Sequence, residues 1–88
     1  MADLSRHYVS GQEIHAGDRV LYAGVPGRIV FVLGFHEFLP EFVEGKEWYY
    51  EEFGQGFMLE QDGGGLFFSE DSDEDLEFVS RGRTDAAS

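Results

Sequence analysis

At 88 residues the chain has room for one small domain and for no large catalytic cleft. Its 42% apolar residues, with nine Phe, four Tyr and one Trp, exclude a disordered acidic tail, and the absence of cysteine excludes disulfides and thiolate metal sites. Eighteen acidic residues against six basic ones give a formal net charge of −12 at pH 7, which argues against nucleic acid as a partner and for a basic protein.

The opening MADLSRHYVSGQ lacks the continuous apolar stretch of a secretory signal, and no run reaches the length of a membrane span, so a cytoplasmic location without membrane contact is expected. Residues 1–12 are expected to be a flexible lead in which Tyr8 and Val9 at most pin an edge. From residue 13 to residue 80 the pattern is that of one domain. Ile14 enters the core, and the chain turns at Ala16-Gly17 into a hairpin. Its two apolar runs, Val20 to Tyr22 and Ile29 to Leu33, carry the β-branched and aromatic side chains that suit a pleated surface. The turn is predicted over residues 23–27, with Pro26 pre-setting φ and Gly27 taking the positive φ of a type II turn. In the second strand Ile29, Phe31 and Leu33 face one way and Val30 and Val32 the other. Both faces are then apolar, which makes the strand central.

Residues 34–55 form a long segment without a clear strand. Within it residues 47–53 are predicted to make a short helical turn stopped by Gly54, with Tyr49 and Phe53 on one face and Trp48 half-buried. Phe57–Gln61 is the third strand, Asp62-Gly63-Gly64-Gly65 a turn, and Leu66–Ser69 the fourth strand. Residues 70–75, reading EDSDED, are an acidic connector into a fifth strand at residues 76–79. Residues 81–88 are expected to be a disordered tail. Val20, Tyr22, Ile29, Phe31, Leu59, Phe67 and Phe78 are expected to share one core. The predicted fold is all-β, a five-stranded partly open barrel with one long loop that carries the helical turn.

Two resemblances bear on function. The order Ile14, Gly17-Asp18, Val20, Gly24, Gly27, Ile29 resembles the opening of SH3-like small barrels of the KOW type, which implies binding to RNA or to ribosomal and transcription proteins. The chain departs from that family in its acidity. The segments Gly-Phe-Met-Leu at 56–59, Gly-Gly-Leu-Phe-Phe at 64–68 and Glu-Asp-Leu-Glu-Phe-Val at 74–79 resemble small acidic bacterial immunity proteins. That likeness implies a protein-binding inhibitor that occludes the basic active site of a toxin. The alternative is an acidic SH3-like adaptor that binds a basic segment of a transcription or ribosome-associated assembly.

Charge segregation points to the surface involved. Residues 1–36 hold Asp3, Glu13 and Asp18 against Arg6, Arg19 and Arg28, whereas residues 37–77 hold fourteen acids against Lys46 alone, a local charge of −13. The expected partner-binding set is Glu37, Glu41, Glu44, Glu47, Trp48, Tyr49, Tyr50, Glu51 and Glu52 in the loop, with Asp71, Asp73, Glu74 and Asp75 in the connector. Three neighbouring aromatics cannot all point inward from one short turn, so at least one is expected to stand exposed as an anchor ringed by carboxylates. Phe42 and Phe53 are expected beneath the loop.

No cofactor, metal or catalytic role is expected. Asp71, Asp73 and Asp75 alternate as in a calcium loop, but Leu76 stands where glycine is required and Gly82 where the bidentate glutamate belongs. His7, His15 and His36 share no ligand spacing. Gly63 to Gly65 lies within a hairpin among carboxylates and has no lysine, unlike a phosphate cradle. Glu51-Glu52 has no nucleophile or adjacent base beside it.

Overall fold

The apolar runs of the central hairpin form strands β1 (Arg19–Tyr22) and β2 (Val25–Val32) in a computed structural model that describes residues 3–81. The turn between them is shorter than predicted. Ala23 and Gly24 alone make it, at φ 52° and 83°, and Tyr22 pairs directly with Val25. Two successive positive φ values match the right-handed twist of the flanking strands better than a type II turn does. Pro26 and Gly27 therefore belong to β2, and Gly27 serves there by close approach. A Cβ on it would lie 2.7 Å from the Glu60 carbonyl oxygen of the neighbouring strand.

After β2 the chain makes a 3-10 turn (Leu33–Phe35), the short strand β3 (Glu37–Phe38) and a second 3-10 turn (Pro40–Gly45) that leads into helix α1 (Lys46–Phe53). Proline opens that second turn, where its missing N–H would have had no partner. Gly54 stops α1 at φ 77°, with its N–H on the Tyr50 carbonyl at 3.0 Å. Strands β4 (Phe57–Gln61), β5 (Leu66–Ser69) and β6 (Leu76–Ser80) complete an antiparallel sheet of order β5-β4-β2-β1-β6, with β3 paired to the end of β2.

The all-β prediction holds, with a sixth strand, β3, that the sequence pattern does not show. The barrel does not form. β5 and β6 are the two ends of the strand order, so the sheet stays open. It buries both faces by other means, under α1 on one side and the lead segment on the other.

The faces are set by one irregularity. Opposite β4, Ile29 faces Leu59 and Phe31 faces Met58, so Val30 is one residue too many and forms a bulge. Strict alternation across Ile29 to Leu33 is lost. Ile29 and Val32 join Val20, Phe57, Leu59 and Leu76 in one core, while Val30, Phe31 and Leu33 join Leu39 and Met58 in a second. The single core expected from sequence is thus two. Phe31 belongs to the second, and Phe67 is 44% exposed.

The lead segment is docked over residues 3–12. It folds back on itself through Tyr8 N–H to the Gln12 carbonyl and Ile14 N–H to the Arg6 carbonyl, at 2.9 and 2.8 Å. Tyr8 is fully buried in the first core, and its hydroxyl donates to Asp18 Oδ2 at 2.7 Å. Asp18 is itself fully buried and also accepts from the His15 N–H at 3.0 Å and from Arg81 Nη1 at 2.9 Å. Desolvation first, then the hydrogen bond to Asp18, pushes the Tyr8 hydroxyl pKa well above the usual phenol range. The expected disordered tail begins with Arg81, which is held here by Asp18; residues 82–88 lie outside the described residues.

Candidate protein-interaction surface

Helix α1 presents its inner face to the second core. Phe31 is the centre of that contact, with the Tyr49 ring at 4.5 Å and the Phe38 ring at 4.9 Å. Tyr50 leans on Phe38, and Phe53 stacks on Phe68 at 3.9 Å. Phe42 also packs beneath, as expected. With Tyr49 and Tyr50 committed inward, the exposed aromatic is Trp48, 56% accessible and standing edge-on to Tyr49 and Phe53.

The carboxylates fall into three groups. Glu51 and Glu52 follow Trp48 by three and four positions, spacings that share a helix face, and Glu44 lies in the 3-10 turn that leads into α1. These three and Glu47 are exposed and make no ion pair among the described residues. Glu41 and Glu37 are engaged within the fold. Glu41 meets Arg28 Nη2 at 3.0 Å, and a backbone hydrogen bond, then the Arg28 side chain, holds its carboxyl below the usual range. Arg28 also pairs with Glu60 at 2.9 Å; burial weakens its proton affinity, but the two carboxylates outweigh this and raise its pKa.

Glu37 reaches back to the turn before β1. It accepts from the Ala16 N–H at 3.0 Å and contacts His15 Nδ1 at 2.9 Å, while His15 Nε2 meets Glu13 at 3.0 Å. Burial lowers the imidazole pKa, but the hydrogen bonds to Glu37 and Glu13 prevail and raise it overall.

Asp71, Asp73, Glu74 and Asp75 form the third group. They are exposed, and the connector that bears them is pinned through Ser72, whose N–H donates to the Leu4 carbonyl at 2.7 Å and whose hydroxyl donates to the His7 carbonyl. This anchors them on the lead segment, across the sheet from α1. The loop and connector acids, read from sequence as one surface, lie on opposite faces.

On the flank of α1 a cleft of about 260 Å³ is lined by His36, Phe38, Val43, Lys46 and Tyr50. Burial pushes the Tyr50 hydroxyl pKa up, and that hydroxyl shares a 2.7 Å hydrogen bond with His36 Nδ1. Among the described residues no group of three His, Asp or Glu side chains is arranged to hold a metal ion, and no helix is long and apolar enough to cross a membrane.

The sequence pattern does not show the Asp18 cluster. Its only trace is an acid directly after a turn glycine, Gly17-Asp18, at the start of a strand. The cluster is closed by its own donors and serves to bind both ends of the described chain to the sheet.

The class defined by fold and surface is a small, mainly β, strongly acidic protein with an exposed tryptophan on a carboxylate-rich helix. Comparison with known proteins finds no matching family model, no matching curated protein and no matching solved structure.

Proposed function

We propose that the chain is a protein-binding inhibitor that covers a basic surface of its partner with the outer face of α1. Occlusion of the active site of a toxin, in the manner of bacterial immunity proteins, is the form of inhibition the charge distribution suits best. The observation that carries the reading is Trp48, the most exposed aromatic of the chain, set among Glu44, Glu47, Glu51 and Glu52. An aromatic anchor inside a charged rim combines a residue that holds a partner with residues that steer it.

The two roles separate in kinetics. Against a partner captured from the native cell, surface plasmon resonance at two salt concentrations should show association that slows as salt rises. Reversing Glu51 and Glu52 to Lys should act mainly on the on-rate. Trp48→Ala should raise the off-rate by an amount worth about 2 kcal/mol or more, with circular dichroism confirming that each variant is folded. Salt-independent association together with unchanged kinetics in both variants would place the interface elsewhere.

A further inference from the structure

Strand β5 is the last on its side of the sheet, and its outer edge is unpaired. Which groups it presents follows from the register. The Gln61 N–H donates to the Gly65 carbonyl at 2.7 Å, so the next opposed pair, Glu60 and Leu66, is not hydrogen-bonded; Leu59 and Phe67 are, and Met58 and Phe68 again are not. The N–H and C=O of Leu66 and Phe68 therefore point outward, and they have no hydrogen-bond partner among the described residues. Strand edges are ordinarily guarded by lysine, proline, an inward charge or a covering segment. The run Leu66-Phe67-Phe68-Ser69 has no charge and no proline, and Leu66 and Phe67 are 51% and 44% exposed. At the opposite end of the sheet β6 carries the charged Glu77, and Arg81 lies over its Phe78 ring at 4.9 Å.

The edge is continuous with the Trp48 surface. Phe68 stacks on Phe53, and Phe53 meets Trp48 at 6.0 Å, so an aromatic path runs from the open strand to the exposed tryptophan. On the sheet's other face Phe67 stands near Tyr22, with ring centroids 6.1 Å apart. Glu51 and Glu52 on α1 are exposed and make no ion pair among the described residues.

We infer that β5 receives an extended segment of the partner as an added strand, in which cationic side chains turned toward α1 alternate with apolar side chains turned toward Phe67. Backbone groups of Leu66 and Phe68 supply the affinity common to any added strand, and the two faces select the alternation. A second copy of this chain is the poorer occupant, because each brings a net charge of −12 to the contact. The inference rests on the basic partner proposed above and specifies the form in which it binds.

The test uses the full chain, isotope-labelled, titrated with a short synthetic peptide of alternating arginine and valine. Amide exchange at Leu66 and Phe68 should slow markedly on binding. The same peptide N-methylated on the backbone nitrogens that face β5 should bind about tenfold more weakly, the equivalent of one or two hydrogen bonds. Leu66→Pro removes an outward N–H without touching the β4 ladder and should weaken binding to a similar degree, whereas Leu66→Thr keeps the N–H and should bind more nearly like the parent. Absence of binding, or binding that leaves the Leu66 and Phe68 amides unchanged, overturns the inference. So does protection of those amides in the free chain together with a dimer mass by sedimentation. Failure here with the Trp48 kinetics intact removes the added strand alone. Strand addition with Trp48→Ala without effect on the captured partner removes the α1 interface instead.

Discussion

Tyr8→Phe isolates the contact on which the docking of the lead segment depends. The substitution keeps the ring, which is fully buried and lies 5.2 Å from Phe78, and deletes only the hydroxyl that donates to Asp18 at 2.7 Å. A hydrogen bond to a charged group contributes about 1.5–3 kcal/mol, and its loss costs most when the acceptor is left alone. Asp18 retains the His15 N–H and Arg81 as donors, so the expected loss is about 2 kcal/mol, at the lower side of that range. For a domain of this size such a loss lowers the melting temperature by about 10 °C. Urea unfolding followed by circular dichroism should give a lower midpoint with an unchanged slope, and amide exchange across residues 3–12 should quicken in step. A variant whose stability lies within about 0.5 kcal/mol of the parent's, or free exchange of residues 3–12 already in the parent, would refute the reading of Tyr8 and Asp18 as a structural clasp.

Three other outcomes are expected. Ala23→Asn should raise stability by about 1 kcal/mol in thermal unfolding, since alanine is strained at φ 52° and Asn-Gly is the preferred pair for this turn. Phe31→Ala should cost about 3–5 kcal/mol in urea titration and loosen α1, because the ring is fully buried between β2 and the aromatics of the loop. The third concerns pH. The folded pKa of His15 is raised above its ordinary value of 6.5, so the stability contributed by its contacts with Glu37 and Glu13 is fully present below that value and is lost as pH rises through the folded pKa. The urea midpoint should fall across that interval, and His15→Gln should remove that part of the slope, with Arg81 and the Phe35 ring as the other groups beside the imidazole.

Local chemistry makes much of the architecture legible. Phe57–Gln61 and Leu66–Ser69 are separated by Asp-Gly, and Gly54 follows an aromatic run, so strand, turn and helix end each have their own marker. The hairpin turn misleads because Pro26-Gly27 is the stronger punctuation and Ala23 tolerates positive φ poorly, while strand twist decides for Ala23-Gly24. The lead segment misleads for another reason. Asp18 draws Tyr8 from ten positions away and Arg81 from sixty-three, and no local pattern announces the needs of a buried carboxylate. At the interaction surface, spacing shows that Trp48, Tyr49 and Tyr50 cannot all be buried, and the Phe31 contact selects which one is not. That the loop and connector acids lie across the sheet from each other depends on Ser72 binding Leu4 and His7, again a contact between distant residues.

The bulge at Val30 makes β2 a counter of residues. Before it, odd positions address the face beneath the lead segment, and after it even positions do, as Ile29 and Val32 show. Insertions in the glycine turn at residues 63–65 change only the reach of a loop. One residue removed between Ile29 and Val32 either abolishes the bulge or moves the chain beyond it by one place, which sets Val32 where Phe31 packs and Leu33 where Val32 packs. Length in that one interval is therefore as constrained as chemical identity, although every residue in it is simply apolar.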